Sequence, residues 1–352
     1  MKKLRFFTLM VATLIMGLSF TACEEDGSLL EVIDDENDDT DGDDDTDSTP
    51  AISIEEGDNT ATETVYVSDL ASDAEVVEVE VTFSSTDDKM RRLYMTQNIA
   101  GAGAEKFELE MEGLDKKGDG SLDLSSDNGN GFTYKIPFPV LSEVEDGTVE
   151  YKIWATSGRG DYRDAEKRLV AGPGTITVDY GGDNPATVDV KEYTAVLLAA
   201  PLADGSSETF ISLLDGEVYA LSNEEYTSYW DFGYYYLNND GPSLASTASY
   251  PALFDHDNDE STDLVAISGL TGTAQEELNS CYFTPSSIDF DAVQSSSDLD
   301  GITKSADEAA NNLEVGDVIE FVDNYGKKGV IKVSDVTTGY TGSITLDIKV
   351  QP

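Results

Sequence analysis

The feature that most constrains the fold is a strict two-residue alternation of apolar and polar side chains. In residues 75–83 (Glu-Val-Val-Glu-Val-Glu-Val-Thr-Phe), every second side chain from Val77 to Phe83 is apolar, and the side chains between them are Glu or Thr. Successive side chains of a strand point to opposite faces of its sheet, so this period indicates strands with one buried face and one solvated face. Residues 148–156 alternate in the same way.

Further strand candidates are short runs rich in β-branched and aromatic residues. In the first half of the chain these are residues 52–54, 64–67, 132–136 and 175–180. In the second half they are residues 193–198, 209–214, 217–221, 232–237, 317–322, 329–333 and 343–350. Turn-rich stretches such as Gly172-Pro-Gly174 separate the runs. The one short helix that we expect covers residues 305–313, which are rich in Ala, Glu and Asn.

The best domain boundary is Gly181-Gly-Asp-Asn-Pro185. The sequence predicts an all-β fold with two tandem β-sandwich domains, at residues 51–182 and 186–352. Several short strands over roughly 130 residues fit an immunoglobulin-like or fibronectin-like sandwich in the first domain. The cysteine pair of antibody domains is absent, so only the general architecture is indicated. The second domain is predicted to be β-rich.

The chain begins with the pattern of a secretory signal. Lys2, Lys3 and Arg5 precede an almost wholly apolar run at residues 6–20, which is shorter than the roughly 20 residues of a membrane-spanning helix. Thr21-Ala22-Cys23 follows and resembles the lipobox of bacterial lipoprotein signals, although Phe20 replaces the usual aliphatic residue. We expect a signal peptide at residues 1–22 and lipid on Cys23. The alternative is an ordinary cleaved signal followed by an incidental cysteine.

An acidic segment follows the cysteine. Glu24, Glu25 and Asp26 resemble the export signal of surface lipoproteins of the Bacteroidota, or they are the start of an acidic linker. Residues 34–49 carry no apolar side chain, so residues 23–50 are predicted to be a disordered tether. The expected location is the outer membrane, with the protein anchored by lipid and exposed at the cell surface.

The charge balance excludes several partners. The chain has 71 acidic and 21 basic residues, a net charge of −50. Such a surface repels phosphate backbones and anionic lipid headgroups, so neither nucleic acid nor a flat membrane contact is expected. No glycine-rich phosphate loop precedes a helix, and nucleotide binding therefore has no support.

Histidine is too scarce for several common catalytic sites. The single histidine, His256, lies in the acidic sequence Asp-His-Asp-Asn-Asp. A Ser-His or Cys-His arrangement or a multi-histidine zinc site is therefore not expected. If Cys23 is lipidated, Cys281 has no disulfide partner and is predicted to be a small buried residue. We expect a protein that is not an enzyme and has no cofactor apart from candidate calcium.

The candidate calcium site is an acidic loop. Its four carboxylates alternate and could converge on one hard cation: Asp255, Asp257, Asp259 and Asp263. Glu260 and Ala266 stand where an EF-hand needs glycine and a bidentate glutamate. A second loop, with Asp115, Asp119, Gly120 and Asp123, has Lys117 in place of a ligand. The alternative for both loops is a solvated acidic turn.

The densest aromatic run covers residues 226–236. In a strand, Phe232, Tyr234 and Tyr236 would face the core and Tyr235 the opposite side. An exposed platform that suits sugar faces and hydroxyls is then expected from four residues: Tyr229, Trp230, Asp231 and Tyr235. Trp154, on the polar side of its strand, is a weaker candidate of the same kind. The alternative is that these rings are simply buried.

Three segments of the second half resemble the C-terminal module of uncharacterised surface lipoproteins of the Bacteroidota. They are residues 210–219 (Phe-Ile-Ser-Leu-Leu-Asp-Gly-Glu-Val-Tyr), 231–236 (Asp-Phe-Gly-Tyr-Tyr-Tyr) and 326–333 (Gly-Lys-Lys-Gly-Val-Ile-Lys-Val). The resemblance covers roughly the last half of the chain, together with the leader. It implies a location at the cell surface and no particular activity.

The expected function is a non-catalytic binding module that captures a glycan or another extracellular polymer. A structural or interaction protein that binds another protein, such as an adhesin or a subunit of a surface assembly, fits the signal, tether and β domains equally well. A glycoside hydrolase that uses a pair of carboxylates is a third alternative, because 71 acidic residues guarantee close pairs.

Overall fold

Four sheets built from twenty strands make up the part of the chain that the computed structural model describes, residues 49–124, 129–202, 204–250 and 273–352. The predicted all-β fold is confirmed. Every strand pair within these ranges lies entirely on one side of residues 181–185. We call the strands before this segment the N-terminal β unit and those after it the C-terminal β unit. Both belong to one compact body, Ser48–Pro352.

The N-terminal β unit contains ten strands. They are β1 (Ala51–Glu55), β2 (Thr62–Tyr66), β3 (Val76–Ser84), β4 (Arg92–Ile99), β5 (Ala104–Lys106), β6 (Asp115–Lys116), β7 (Leu122–Asp123), β8 (Gly131–Pro139), β9 (Thr148–Thr156) and β10 (Leu169–Asp179). One sheet has the order β1-β3-β8, and the other has the order β2-β10-β9-β4-β7-β6, with β5 paired to β4. The pairs β1–β3 and β2–β10 are parallel, and the others are antiparallel.

The alternating residues of β3 lie as the sequence predicted. Val79 and Val81 are fully buried, whereas Glu78 between the apolar positions is exposed. Across the antiparallel pair, Val79 lies opposite Ile136 of β8. Buried side chains from both sheets, including Tyr151 of β9, form one continuous core. Each fully buried side chain of this size contributes about 1.5–3 kcal/mol, so this core is the main source of stability of the unit.

The C-terminal β unit also contains ten strands. They are β11 (Lys191–Ala199), β12 (Glu208–Ile211), β13 (Val218–Ala220), β14 (Phe232–Leu237), β15 (Gly241–Ser246), β16 (Tyr282–Pro285), β17 (Ala309–Ala310), β18 (Val318–Val322), β19 (Lys328–Thr337) and β20 (Ser343–Val350). Its two sheets have the orders β11-β20-β19-β18-β16 and β13-β12-β14-β15-β17. All their pairs are antiparallel.

Helices are short throughout the described residues. There are five 3-10 helices, η1 (Val67–Asp69), η2 (Leu221–Tyr229), η3 (Thr247–Ser249), η4 (Phe290–Ala292) and η5 (Ser296–Leu299), and one α-helix, α1 (Thr273–Glu276). None of the helices in the described part of the chain is long and apolar enough to span a membrane.

Helices η2, α1, η4 and η5 and their flanking loops cover the outer faces of the C-terminal sheets. Leu221 of η2 packs with Phe210, Trp230, Tyr235 and Tyr250 on the outer side of the β14 sheet. On the other sheet, Phe290 of η4 and Leu299 of η5 belong to a cluster over the outer side of β18 and β19. Each C-terminal sheet therefore buries apolar side chains on both faces.

Two local predictions were wrong. Residues 305–313 form no helix, because their backbone pairs with the edge of a sheet: Ala310 lies opposite Leu244 in β17, and Ser246 N donates to Glu308 O at 2.9 Å. Gly172-Pro-Gly174 is not a turn between strands. It lies inside β10, which contains a cis Gly172–Pro173 bond and has register shifts against β9.

Candidate ligand-binding site at the junction of the β units

The aromatic platform predicted from the sequence lies in the interior. The exposed fractions are 1% for Tyr229, 0% for Trp230, 0% for Asp231 and 1% for Tyr235. The prediction that these four side chains are exposed is therefore wrong. Trp154, the weaker candidate, is also buried.

Trp230 and Tyr235 are buried by the outer covering of the β14 sheet. The Trp230 ring stacks on Phe210 with a centroid distance of 4.5 Å and an interplanar angle of 7°. Tyr235 packs edge-on against Tyr250, and its hydroxyl donates to Asn311 Oδ1 at 2.8 Å. On the opposite face, Phe232 and Tyr234 point into the core as predicted, and Tyr236 is only partly buried.

Tyr229 belongs to an aromatic cluster between the two β units, which we call the junction cluster. Its buried members are Tyr94, Trp154, Tyr162, Leu214 and Tyr229. Tyr94 stacks on Trp154 at 5.7 Å and meets Tyr162 edge-on at 4.9 Å. Tyr94, Trp154 and Tyr162 come from the N-terminal unit, so Tyr229 is buried by contact between the units.

Asp231 forms a buried ion pair with Arg163, which lies in the loop between β9 and β10. Arg163 Nη1 lies 2.8 Å from both carboxylate oxygens, and Leu213 N donates to Oδ2 at 2.6 Å. The guanidinium also donates to Ser228 O at 2.5 Å and stacks over the Tyr325 ring at 4.4 Å. Burial raises the pKa of Asp231 to about 6, against the opposing effect of the Arg163 charge. The Asp231 carboxylate is therefore paired within the protein and is not available to a ligand.

Further ion pairs surround the junction cluster. Glu277 accepts from Arg159 at 2.7 Å and pairs with Lys167 at 3.2 Å. Lys191 at the start of β11 pairs with Glu105 of β5 at 3.3 Å. These contacts link the N-terminal unit to the C-terminal unit at several points, which fixes the geometry of any cleft between them.

One cleft opens beside the junction cluster, and we call it the junction cleft. It has a volume of about 460 Å³, within the usual range of ligand sites. The N-terminal unit contributes Lys106 at the end of β5 and Glu108 just after it. The C-terminal unit contributes four residues from the β12–β13 turn, β13 and η2: Asp215, Glu217, Tyr219 and Tyr226.

Two tyrosine rings form the apolar part of the junction cleft. Tyr219 and Tyr226 are half-buried, with centroids 5.8 Å apart and ring planes 40° apart. A Cβ at Gly118 would lie 2.2 Å from the Tyr226 hydroxyl, so the absence of a side chain there allows the ring its position. Burial raises the pKa of both phenols, which therefore remain neutral hydrogen-bonding groups at neutral pH.

In the part of the chain that the structure describes, some charged side chains of the cleft are paired with an opposite charge, and one is not. Lys106 forms a close ion pair with Asp215, and its ammonium also lies 5.0 Å from the Tyr229 ring. Glu108 pairs at 3.1 Å with the exposed Lys116. Among the described residues, no basic group pairs with Glu217, whose side chain is exposed. The cleft therefore presents one free carboxylate beside two aromatic rings.

A second, larger cleft of about 640 Å³ lies within the C-terminal unit, between β16 and β17. Leu313 and Ile319 are buried, and Asp307 and Asp317 are exposed. Phe283, the single aromatic side chain among the described residues that line it, is 2% exposed and offers no open ring face. The junction cleft is the better candidate for a ligand that stacks on aromatic rings.

Several predicted site residues lie outside the described residues. They are Cys23, the acidic residues Glu24, Glu25 and Asp26, and the candidate calcium ligands Asp255, Asp257, Asp259 and Asp263, with His256 among them. Within the described ranges, no group of three or more His, Cys, Asp or Glu side chains is arranged to hold a metal ion.

The second acidic loop is described, and two of its three carboxylates, Asp119 and Asp123, have protein partners. Asp119 is buried and accepts from the Tyr94 hydroxyl at 2.9 Å and from Ser121 N at 3.1 Å. Asp123 forms a close ion pair with Lys117. Cys281 is buried as predicted, and burial raises the pKa of its thiol, which disfavours the reactive thiolate.

Sequence reasoning did not find the junction cleft. Tyr226 belongs to the aromatic run but not to the predicted platform. Lys106 and Glu108 lie far from Tyr219 in the sequence, and only the packing of the two units brings them together. Pattern analysis of a single strand contains no signal for such a contact.

Comparison with known proteins gives little further information. No protein-family model matches the chain, and no curated protein matches it. The chain is similar to the crystal structure of a DUF4466 family protein from Parabacteroides merdae ATCC 43184, over 78% of this chain and 92% of that chain. The sequence identity is 10% and the TM-score is 0.32. A similarity at this level carries no argument about fold or function.

Proposed function

We propose that the protein is a non-catalytic binding module that captures a glycan or a similar extracellular polymer in the junction cleft. The observation that carries the proposal is the pair of half-exposed rings, Tyr219 and Tyr226, next to carboxylates. Aromatic faces pack against the apolar faces of sugar rings, and carboxylates accept hydrogen bonds from sugar hydroxyls. The buried platform residues have no part in this proposal.

Binding is favoured over hydrolysis by the state of the carboxylates. A glycosidase needs two carboxyl groups facing the scissile bond, one as acid and one as base or nucleophile. In the junction cleft, Asp215 is held by Lys106 and Glu108 is paired with Lys116. Among the described residues that line the cleft, Glu217 therefore has no second free carboxyl group beside it.

We further propose that two β-sandwich domains, the first immunoglobulin-like, are presented at the surface of the outer membrane by lipid on Cys23. The leader, the cysteine and the acidic residues after it support this. Mass spectrometry of the native protein should show an N-terminal acylated Cys23. A mature chain that begins elsewhere, without lipid, would contradict the anchor and leave the binding proposal unaffected.

The binding proposal predicts that Tyr226→Ala weakens glycan binding at least about tenfold, because a central aromatic contact commonly contributes more than 1.4 kcal/mol. A glycan array probed with the wild-type protein would first identify bound sugars, and titration calorimetry would compare the variants. Tyr66→Ala is the matched control, since Tyr66 is 51% exposed on β2 and does not line the cleft.

Equal binding by wild type and Tyr226→Ala would move the site away from the junction cleft. If no glycan on the array bound, the module would instead be assigned to the structural or interaction class, with a protein as its partner.

A further inference from the structure

The charges of the junction cleft discriminate between classes of glycan. We propose that the cleft selects sugars that carry a protonated amino group over N-acetylated or neutral sugars, and rejects sugars that carry carboxylates. This inference rests on the proposed function, because it names the ligand class of the same site.

The cation that lines the junction cleft is already paired. Lys106 is the one basic residue among the described residues that line it, and its ammonium is held by Asp215. The side chain is only 15% exposed. A carboxylate or sulfate on a ligand would have to compete with Asp215 for this ammonium, so the cleft offers no free cation to an acidic sugar.

The free carboxylate of the junction cleft belongs to Glu217. Glu217 is exposed and has no basic partner among the described residues, and it lines the same cleft as Tyr219 and Tyr226. A sugar stacked on the rings would place its substituents within reach of this carboxylate. A protonated amine there forms a hydrogen bond in which both partners are charged, whereas an acetamido N–H brings no charge of its own to the same carboxylate.

The aromatic rings of the junction cleft also favour a cationic ligand. The faces of tyrosine rings carry partial negative charge and attract cations at a few ångströms from the centroid. Lys106 already shows this behaviour, with its ammonium 5.0 Å from the Tyr229 ring and 5.6 Å from the Tyr162 ring. The rings and Glu217 therefore favour the same ligand charge, independently of each other.

The test compares three oligosaccharides of equal length: a fully deacetylated chito-oligosaccharide, its N-acetylated counterpart and an oligogalacturonate. Binding is measured by calorimetry in mildly acidic buffer, in which the sugar amine is protonated and ordinary glutamates are ionised. We expect the deacetylated probe to bind at least about fivefold more tightly than the acetylated probe. This ratio corresponds to about 1 kcal/mol, the interaction energy of one solvated charge pair. The oligogalacturonate should bind weakest.

Glu217→Gln should reduce the preference for the amine to about twofold or less while retaining binding of the acetylated probe. Asp335→Asn removes one charge that is also exposed, on β19 and away from the cleft, and should leave the preference intact. Raising the salt concentration to 1 M, where the screening length is about 3 Å, should also reduce the preference of the wild-type protein for the amine.

Equal binding of the acetylated and deacetylated probes, or tighter binding of the oligogalacturonate, would overturn the inference and leave the glycan-binding proposal standing. A preference that Asp335→Asn lowers as much as Glu217→Gln would overturn it too, because overall charge would then be the cause. Failure of every sugar, here and on the array, would overturn the proposed function itself.

Discussion

Strands β3 and β14 show two different relations between sequence pattern and burial. In β3 the alternation is complete: Val79 and Val81 are buried and Glu78 is exposed. In β14 the residues on both faces are buried, with Phe232 on the core side and Tyr235 on the outer side. The difference is the covering of the outer face, which η2 and α1 supply for the β14 sheet.

This comparison shows where period-two analysis succeeds and where it fails. Alternation reports a half-buried strand, whereas a strand covered on both sides has a continuous apolar or aromatic sequence. The run Phe-Gly-Tyr-Tyr-Tyr-Leu in β14 is of the second kind. An aromatic residue on the side opposite the core is evidence for exposure only if nothing covers that side.

The strongest test of the comparison removes one residue from each outer face. Trp230→Ala should lower the free energy of unfolding by about 3–5 kcal/mol, because a fully buried indole stacked on Phe210 is replaced by a cavity. Glu78→Ala, on the outer face of β3, should change it by less than about 0.5 kcal/mol. Urea denaturation followed by circular dichroism measures both.

Two outcomes would break the comparison. A small effect of Trp230→Ala would mean that the outer face of the β14 sheet is open in solution and would restore the exposed platform. A large effect of Glu78→Ala would mean that the outer face of β3 is also covered.

The fold was largely predictable from local patterns. Strands β14 and β20 match their predicted ranges, and all-β architecture follows from alternation and turn residues. Strand β4 was missed, because its sequence Arg-Leu-Tyr-Met-Thr-Gln-Asn-Ile does not alternate. Its consecutive residues Leu93 to Thr96 are all buried, since Tyr94 faces the junction cluster while Leu93 and Met95 face the core.

The candidate site was much less predictable, for a physical reason. Tyr219 and Tyr226 are positioned by packing between residues that are distant in sequence, and Asp231 is neutralised by Arg163, 68 residues away. Local propensity carries no information about such pairs. The aromatic density of residues 226–236 did mark the right region, because the same run provides Tyr229 of the junction cluster and Tyr226, whose ring lines the cleft.

A smaller effect on stability is expected at Arg163, where the N-terminal unit is buried against the C-terminal unit. Arg163→Lys keeps the positive charge but loses the hydrogen bond from Nη2 to Ser228 O and the stacking of the guanidinium on Tyr325. We expect the free energy of unfolding to fall by about 1.5–3 kcal/mol, the usual contribution of hydrogen bonds to charged groups.

Arg168→Lys is the matched control, because Arg168 lies in the same stretch of chain but its side chain is 43% exposed and 3.9 Å from its acidic partner, Glu277. Exposed pairs contribute little, so this change should cost at most about 0.5 kcal/mol. If the two substitutions had equal effects, the Arg163–Asp231 pair would be accessible to water. A loss confined to Arg163→Lys would show that the loop between β9 and β10 shields Asp231 of the C-terminal unit from water.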